Sequence, residues 1–192
     1  MRRTLIISAG VAVVAAGLAA ATIVPRLAAP TGPAIGGGFS LTDDAGHRVT
    51  QASYQGQWVL IYFGYTHCPD ACPTTLSDIA AGLDKLPPEK RRHIRVLFVT
   101  VDPGRDTPSV MHDYVHAFGP EFTGLTGTQA ELDTVEQSFH VYAQRHALKG
   151  GDYAMDHSSI IYVMNPGGDF TGLIDDSLSP AQIAGKLVGF GA

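Results

Sequence analysis

Trp58 to Tyr65 (WVLIYFGY) is a nearly unbroken apolar and aromatic run, which suits a strand buried on both faces better than one with a wet face. Ile94 to Asp102 (IRVLFVTVD) is a second such strand. Between them, Pro73 to Leu86 reads as a helix that ends before Pro87-Pro88. Thr107-Pro108 supplies an N-cap and a first helical position for a helix to about Phe118, and another helix spans Gln129 to Phe139. Ser158 to Met164 is a third strand, Asn165-Pro166-Gly167-Gly168 a turn, Phe170 to Ile174 a fourth strand, and Ser179-Pro180 opens a final helix. Ahead of these, Phe39 to Thr50 reads as two short strands around an Asp-Ala-Gly turn. The alternation predicts an α/β domain over residues 39–192, with a mixed sheet whose first three central strands are separated by helices.

Ahead of that domain, Leu5 to Val24 supplies 20 residues of Leu, Ile, Val, Ala and Gly broken only by Ser8 and Thr22. At ~1.5 Å per residue this spans ~30 Å, the thickness of a bilayer's hydrocarbon core. Arg2 and Arg3 precede it and only Arg26 follows closely, a bias that keeps the N-terminus cytoplasmic and exports the body. Residues 1–25 are therefore read as a transmembrane anchor. The alternative is a cleaved signal peptide with Ala19-Ala20-Ala21 as its site, but the run is longer than the usual ~7–15 residue core of such a peptide. Residues 26–38 (RLAAPTGPAIGGG) read as a flexible tether. Beyond Arg26 the chain carries 10 Lys and Arg against 18 Asp and Glu, an acidic body that argues against a nucleic-acid partner.

Two cysteines, Cys68 and Cys72, are too few for a disulfide scaffold and too close to join distant elements. A disulfide between them would close so short a loop that it stabilises little. They lie between a buried strand and a helix, at the strand end where open α/β sheets place ligands. A helix N-terminus favours thiolate, so depressed thiol pKa values are expected there. Four residues apart on a helix, both sulfurs can face one small volume, which suits a soft metal such as Cu(I) or zinc and leaves room for a third donor. Eight histidines compete for that place. His157 immediately precedes the third predicted strand, where thioredoxin-like folds normally carry a cis-proline; here no proline occurs between Pro120 and Pro166.

These segments resemble one family. Tyr62–Pro73 (YFGYTHCPDACP), Val101–Pro108 (VDPGRDTP), Gly124–Gly127 (GLTG) and Asp156–Ser158 (DHS) occur in the order found in the SCO/SenC copper proteins, with the likeness running from about Phe39 to the C-terminus. The resemblance implies a thioredoxin-like fold and copper, one per chain, as Cu(I) or Cu(II), held by Cys68, Cys72 and His157. It further implies a carrier rather than an enzyme, delivering copper to the dinuclear centre of cytochrome c oxidase subunit II. With the apolar N-terminus, the expected place is a bacterial inner membrane with the body on the periplasmic side. Gly104 stands where the family commonly has an acidic residue, a change expected to be tolerated at the surface. Two other readings stand beside delivery. One is a thiol:disulfide reductase with Cys68 and Cys72 as its redox pair, and the other a copper-responsive redox sensor.

Other residues invite plainer readings. His67 adjoins Cys68, but neighbouring side chains diverge, so it is expected beside the site and not in it. Met155 offers a thioether and is expected to pack. Asp70 and Asp102 either orient a ligand or cap a helix. His112 and His116, with Asp113 between, formally make a zinc pair four residues apart; Tyr114 and Phe118 are expected to form that helix's buried face and leave both imidazoles solvated.

Overall fold

The computed structural model describes residues 35–192. A hairpin opens it, β1 (Ser40–Asp43) and β2 (Arg48–Thr50), turning at Gly46 with a φ of +86°. A 3-10 turn, Gln51–Tyr54, leads into β3 (Trp58–Gly64), followed by α1 (Ala71–Leu83), the single turn α2 (Pro88–Arg91) and β4 (Ile94–Thr100). Next come α3 (Pro108–Val115), β5 (Phe122–Thr126) and α4 (Gln129–Phe139). The chain closes with β6 (Ala143–Ala147), β7 (Tyr153–His157), β8 (Ile160–Met164), β9 (Phe170–Asp175) and α5 (Pro180–Phe190).

Seven strands form one sheet in the order β2-β1-β5-β4-β3-β8-β9, and β6 and β7 pair separately as an antiparallel hairpin. β3 runs parallel to β4, and β4 to β5, while β1 and β8 join antiparallel, so the sheet is mixed as the alternation predicted. All of β3 after Trp58 is buried, as its unbroken apolar run requires. β3 and β4 pair in step from Trp58↔Ile94 to Gly64↔Thr100, so both chains leave the sheet at the same edge. Helices cover the sheet, with α1 against α5 and α3 on β5.

Two expectations are corrected, and a hairpin is added to them. The third strand of the parallel set is β5, whose sequence FTGLT is too short and too mixed to signal a buried strand; the segment expected to begin at Ser158 is β8, antiparallel to β3. The β6–β7 hairpin is mostly exposed on β6 and carries no apolar alternation there. α3 ends at Val115 and buries Met111 and Val115; Tyr114 and Phe118 pack only partly against the core. The apolar segment Leu5–Val24 and the start of the 26–38 stretch lie outside the described residues, and no described helix is long and apolar enough to cross a membrane. Of that stretch, Ile35 packs on the core and the Gly36 N–H donates to the Ser138 carbonyl at 2.8 Å.

Candidate metal centre

The loop between β3 and α1 carries Cys68 and is anchored on a buried carboxylate. Asp106 is fully buried and accepts the Thr66 N–H at 3.0 Å, the Thr66 hydroxyl at 2.6 Å and the Thr100 hydroxyl at 2.6 Å. Three donors satisfy the charge and pin the loop to the end of β4. A second buried carboxylate, Asp102, accepts the Arg105 guanidinium and, at 2.8 Å, the Tyr153 hydroxyl. Arg105 lies 3.7 Å from the centre of the Tyr153 ring and donates to the Tyr153 carbonyl at 3.1 Å. Tyr153 starts β7 and His157 ends it, so this clamp sets where His157 arrives.

Cys72 lies in the first turn of α1, its N–H donating to the Cys68 sulfur at 3.4 Å, and its side chain is fully buried. Both cysteines are free thiols, and Cys68 is partly exposed. His157 Nε2 stands 3.5 Å from the Cys72 sulfur, while Nδ1 lies 3.1 Å from the Ser158 carbonyl. A carbonyl only accepts, so Nδ1 carries the proton and Nε2 turns its lone pair toward the sulfur. Tyr62 and Tyr65 meet the imidazole edge-on at 6.2 and 6.0 Å, which holds the ring plane. The two sulfurs and one imidazole nitrogen all lie within 4.8 Å of one another. Metal–donor bonds of about 2.0–2.3 Å place the donors of a three-coordinate ion roughly 3.5–4 Å apart, so the cluster needs little movement to close on one ion.

Burial pushes the Cys72 thiol up, with the neighbouring Cys68 adding to it, so the expected depression by the helix N-terminus does not prevail there. Burial also pulls the His157 imidazole down, against the Ser158 carbonyl, and keeps it in the neutral form that binds metal. A bound cation is the charge that would favour the Cys72 thiolate. His67 is half exposed, its Nδ1 beside the Thr66 hydroxyl at 3.1 Å and outside the three-donor cluster. Met155 packs on the core from β7. Asp70 precedes α1 without a side-chain cap, whereas Asp102 acts on the His157 strand through Tyr153. Asp106, Arg105 and Tyr153 were not singled out from the sequence; the first two lie in the VDPGRDTP segment, and Tyr153 had no local signal. Gly104 is exposed, and a Cβ there would meet nothing closer than 3.7 Å, so a side chain fits. No peptide bond among the described residues is cis, and His157 is the last residue of β7, just ahead of β8.

The SCO1/SenC family profile matches residues 28–190. Protein SCO1 homolog 1, mitochondrial, of Arabidopsis thaliana is 43% identical over 137 residues, 71% of this chain and 41% of that protein. The mouse protein SCO1 homolog, mitochondrial, is 40% identical over 157 residues, 81% of this chain and 55% of the relative. The chain thus spans about half the length of these relatives. Among solved structures, Bradyrhizobium japonicum ScoI with copper bound is 42% identical, with a TM-score of 0.75 over 82% of this chain and 99% of that one. Arabidopsis thaliana ScoI with copper bound is 38% identical, with a TM-score of 0.78 over 82% of this chain and 98% of that one. The fold is thioredoxin-like, and the chain belongs to the SCO1/SenC family.

Proposed function

We propose that this chain binds one Cu(I) through Cys68, Cys72 and His157 and delivers it to the dinuclear copper centre of cytochrome c oxidase subunit II. The observation that carries this reading is the convergence of two free thiols and one neutral imidazole nitrogen within 4.8 Å at the end of β3. Soft sulfur donors select Cu(I), and copper is bound in the Bradyrhizobium and Arabidopsis structures. Both thiols must be reduced and shed their protons for the ion to bind, and His157 must stay neutral. The partly exposed Cys68 and the buried Cys72 give transfer a direction. An acceptor thiolate reaches the ion from the Cys68 side, displaces that sulfur first, and His157 and Cys72 release last. In this reading Leu5–Val24 anchors the chain in a bacterial inner membrane, and the body, residues 39–192, works on the periplasmic side.

Cu(I) competition against a chelator of known affinity tests the ligand set. Cys68→Ser, Cys72→Ser and His157→Ala should each weaken binding at least tenfold while the fold, read by circular dichroism, is retained. Full retention of copper by either cysteine variant would overturn the proposal. Oxidase assembly that needs both cysteines but not His157 would replace delivery by thiol reduction.

A further inference from the structure

His112 and His116 lie four residues apart at the end of α3, and His116, the capping residue, keeps helical geometry with φ −68° and ψ −15°. Their imidazoles therefore share one face of the helix, with ring centroids 4.2 Å apart. The fold adds a third donor from far away in sequence. The turn between β1 and β2 carries Asp44 to this face, its Oδ2 3.3 Å from His116 Nε2. One donor atom from each of Asp44, His112 and His116 lies within 4.8 Å of the others.

The carboxylate is held in place by the fold. Its side chain is only 8% exposed, and Oδ2 also accepts the Gly124 N–H at 3.3 Å, the kind of outer support that orients a ligating group. Gly124 lets α3 approach this closely, because a Cβ there would stand 2.8 Å from the Met111 Cβ. Core packing does not account for the two imidazoles, since α3 buries Met111 and Val115 and leaves both histidines exposed. None of the three residues belongs to the thiol cluster.

We propose that Asp44, His112 and His116 form a second metal site, which takes a divalent ion of borderline softness, zinc(II) or copper(II). Two imidazoles and a carboxylate suit such ions and offer no sulfur to Cu(I). Three protein ligands leave a fourth position for water, and the bound ion ties the β1–β2 turn to α3. The site stands independently of the copper-delivery reading.

The test uses the full chain carrying Cys68→Ser and Cys72→Ser, titrated calorimetrically with zinc(II) and, separately, with copper(II) followed by electron paramagnetic resonance. One equivalent of either ion should bind, raise the thermal midpoint, and in the copper case show nitrogen hyperfine structure. His112→Ala and His116→Ala should each weaken binding at least tenfold, and Asp44→Asn should do so while keeping the acceptor for Gly124; His146→Ala should change nothing. In the chain with its thiols intact, His112→Ala should lower bound zinc by one equivalent, so the result does not depend on the serine replacements. Failure of both ions to bind, or binding indifferent to His112→Ala and His116→Ala, overturns the proposal.

Discussion

At the end of β3, Gly64 decides whether the thiol centre can form. A Cβ there would stand 2.6 Å from the Phe98 ring and 2.8 Å from the Cys72 sulfur, both fully buried and with nowhere to retreat. Gly64→Ala should therefore cost about 1–3 kcal/mol by overpacking and also displace Cys72 from His157. Urea denaturation reads the first effect and Cu(I) competition the second. A variant with unchanged midpoint and unchanged copper affinity would show that the contact relaxes freely. Single residues differ in how far sequence announces them. His157 was legible because it stands where a proline is missing, and Cys68 and Cys72 because their spacing falls at a strand–helix junction. The raised Cys72 thiol was not, because the helix N-terminus can be read from sequence and the burial that outweighs it cannot. Asp44 was not legible either, since its neighbours on α3 are met only through the sheet.

Elements whose burial dictates composition were readable in advance. β3 and β4 are continuous apolar runs, and α4 begins at a Thr128–Glu131 capping box and covers Gln129–Phe139 as expected. β5 and the β6–β7 hairpin were not, because β5 mixes Gly and Thr into five residues and β6 shows mostly polar side chains to solvent. The hairpin is held by the Asp102–Arg105–Tyr153 clamp, a contact between distant segments. On α4, burial raises the Glu136 carboxyl from 4.5 to about 7, Asp133 adds to the rise, and its Oε1 has no hydrogen-bond partner. With a folded value above the unfolded one, the native state holds a proton that the unfolded chain releases. The stabilisation this gives is full below about pH 4.5 and is lost as pH rises through about 7. Glu136→Gln should therefore gain about 1 kcal/mol over the native chain between pH 5 and 8, allowing for solvent screening of a partly buried group. Urea midpoints for the two chains that run parallel across that range would contradict this.

Over the whole molecule, the parallel strands β3 and β4 end together and deliver their loops to one edge, where the Cys68 loop, the first turn of α1 and the end of β7 meet. The carboxylates that fix this meeting, Asp102 and Asp106, are buried and hydrogen-bonded, so the fold itself holds the two sulfurs and the imidazole nitrogen within 4.8 Å of one another. In the proposed function these two sulfurs and one imidazole nitrogen hold one copper. Copper K-edge X-ray absorption on the reduced chain loaded with one equivalent of Cu(I) tests it most directly. The spectrum should be three-coordinate, with two sulfur scatterers and one nitrogen, and His157→Ala should lose the nitrogen shell and keep both sulfurs. A native spectrum with fewer than two sulfurs, or one unchanged by His157→Ala, would contradict it.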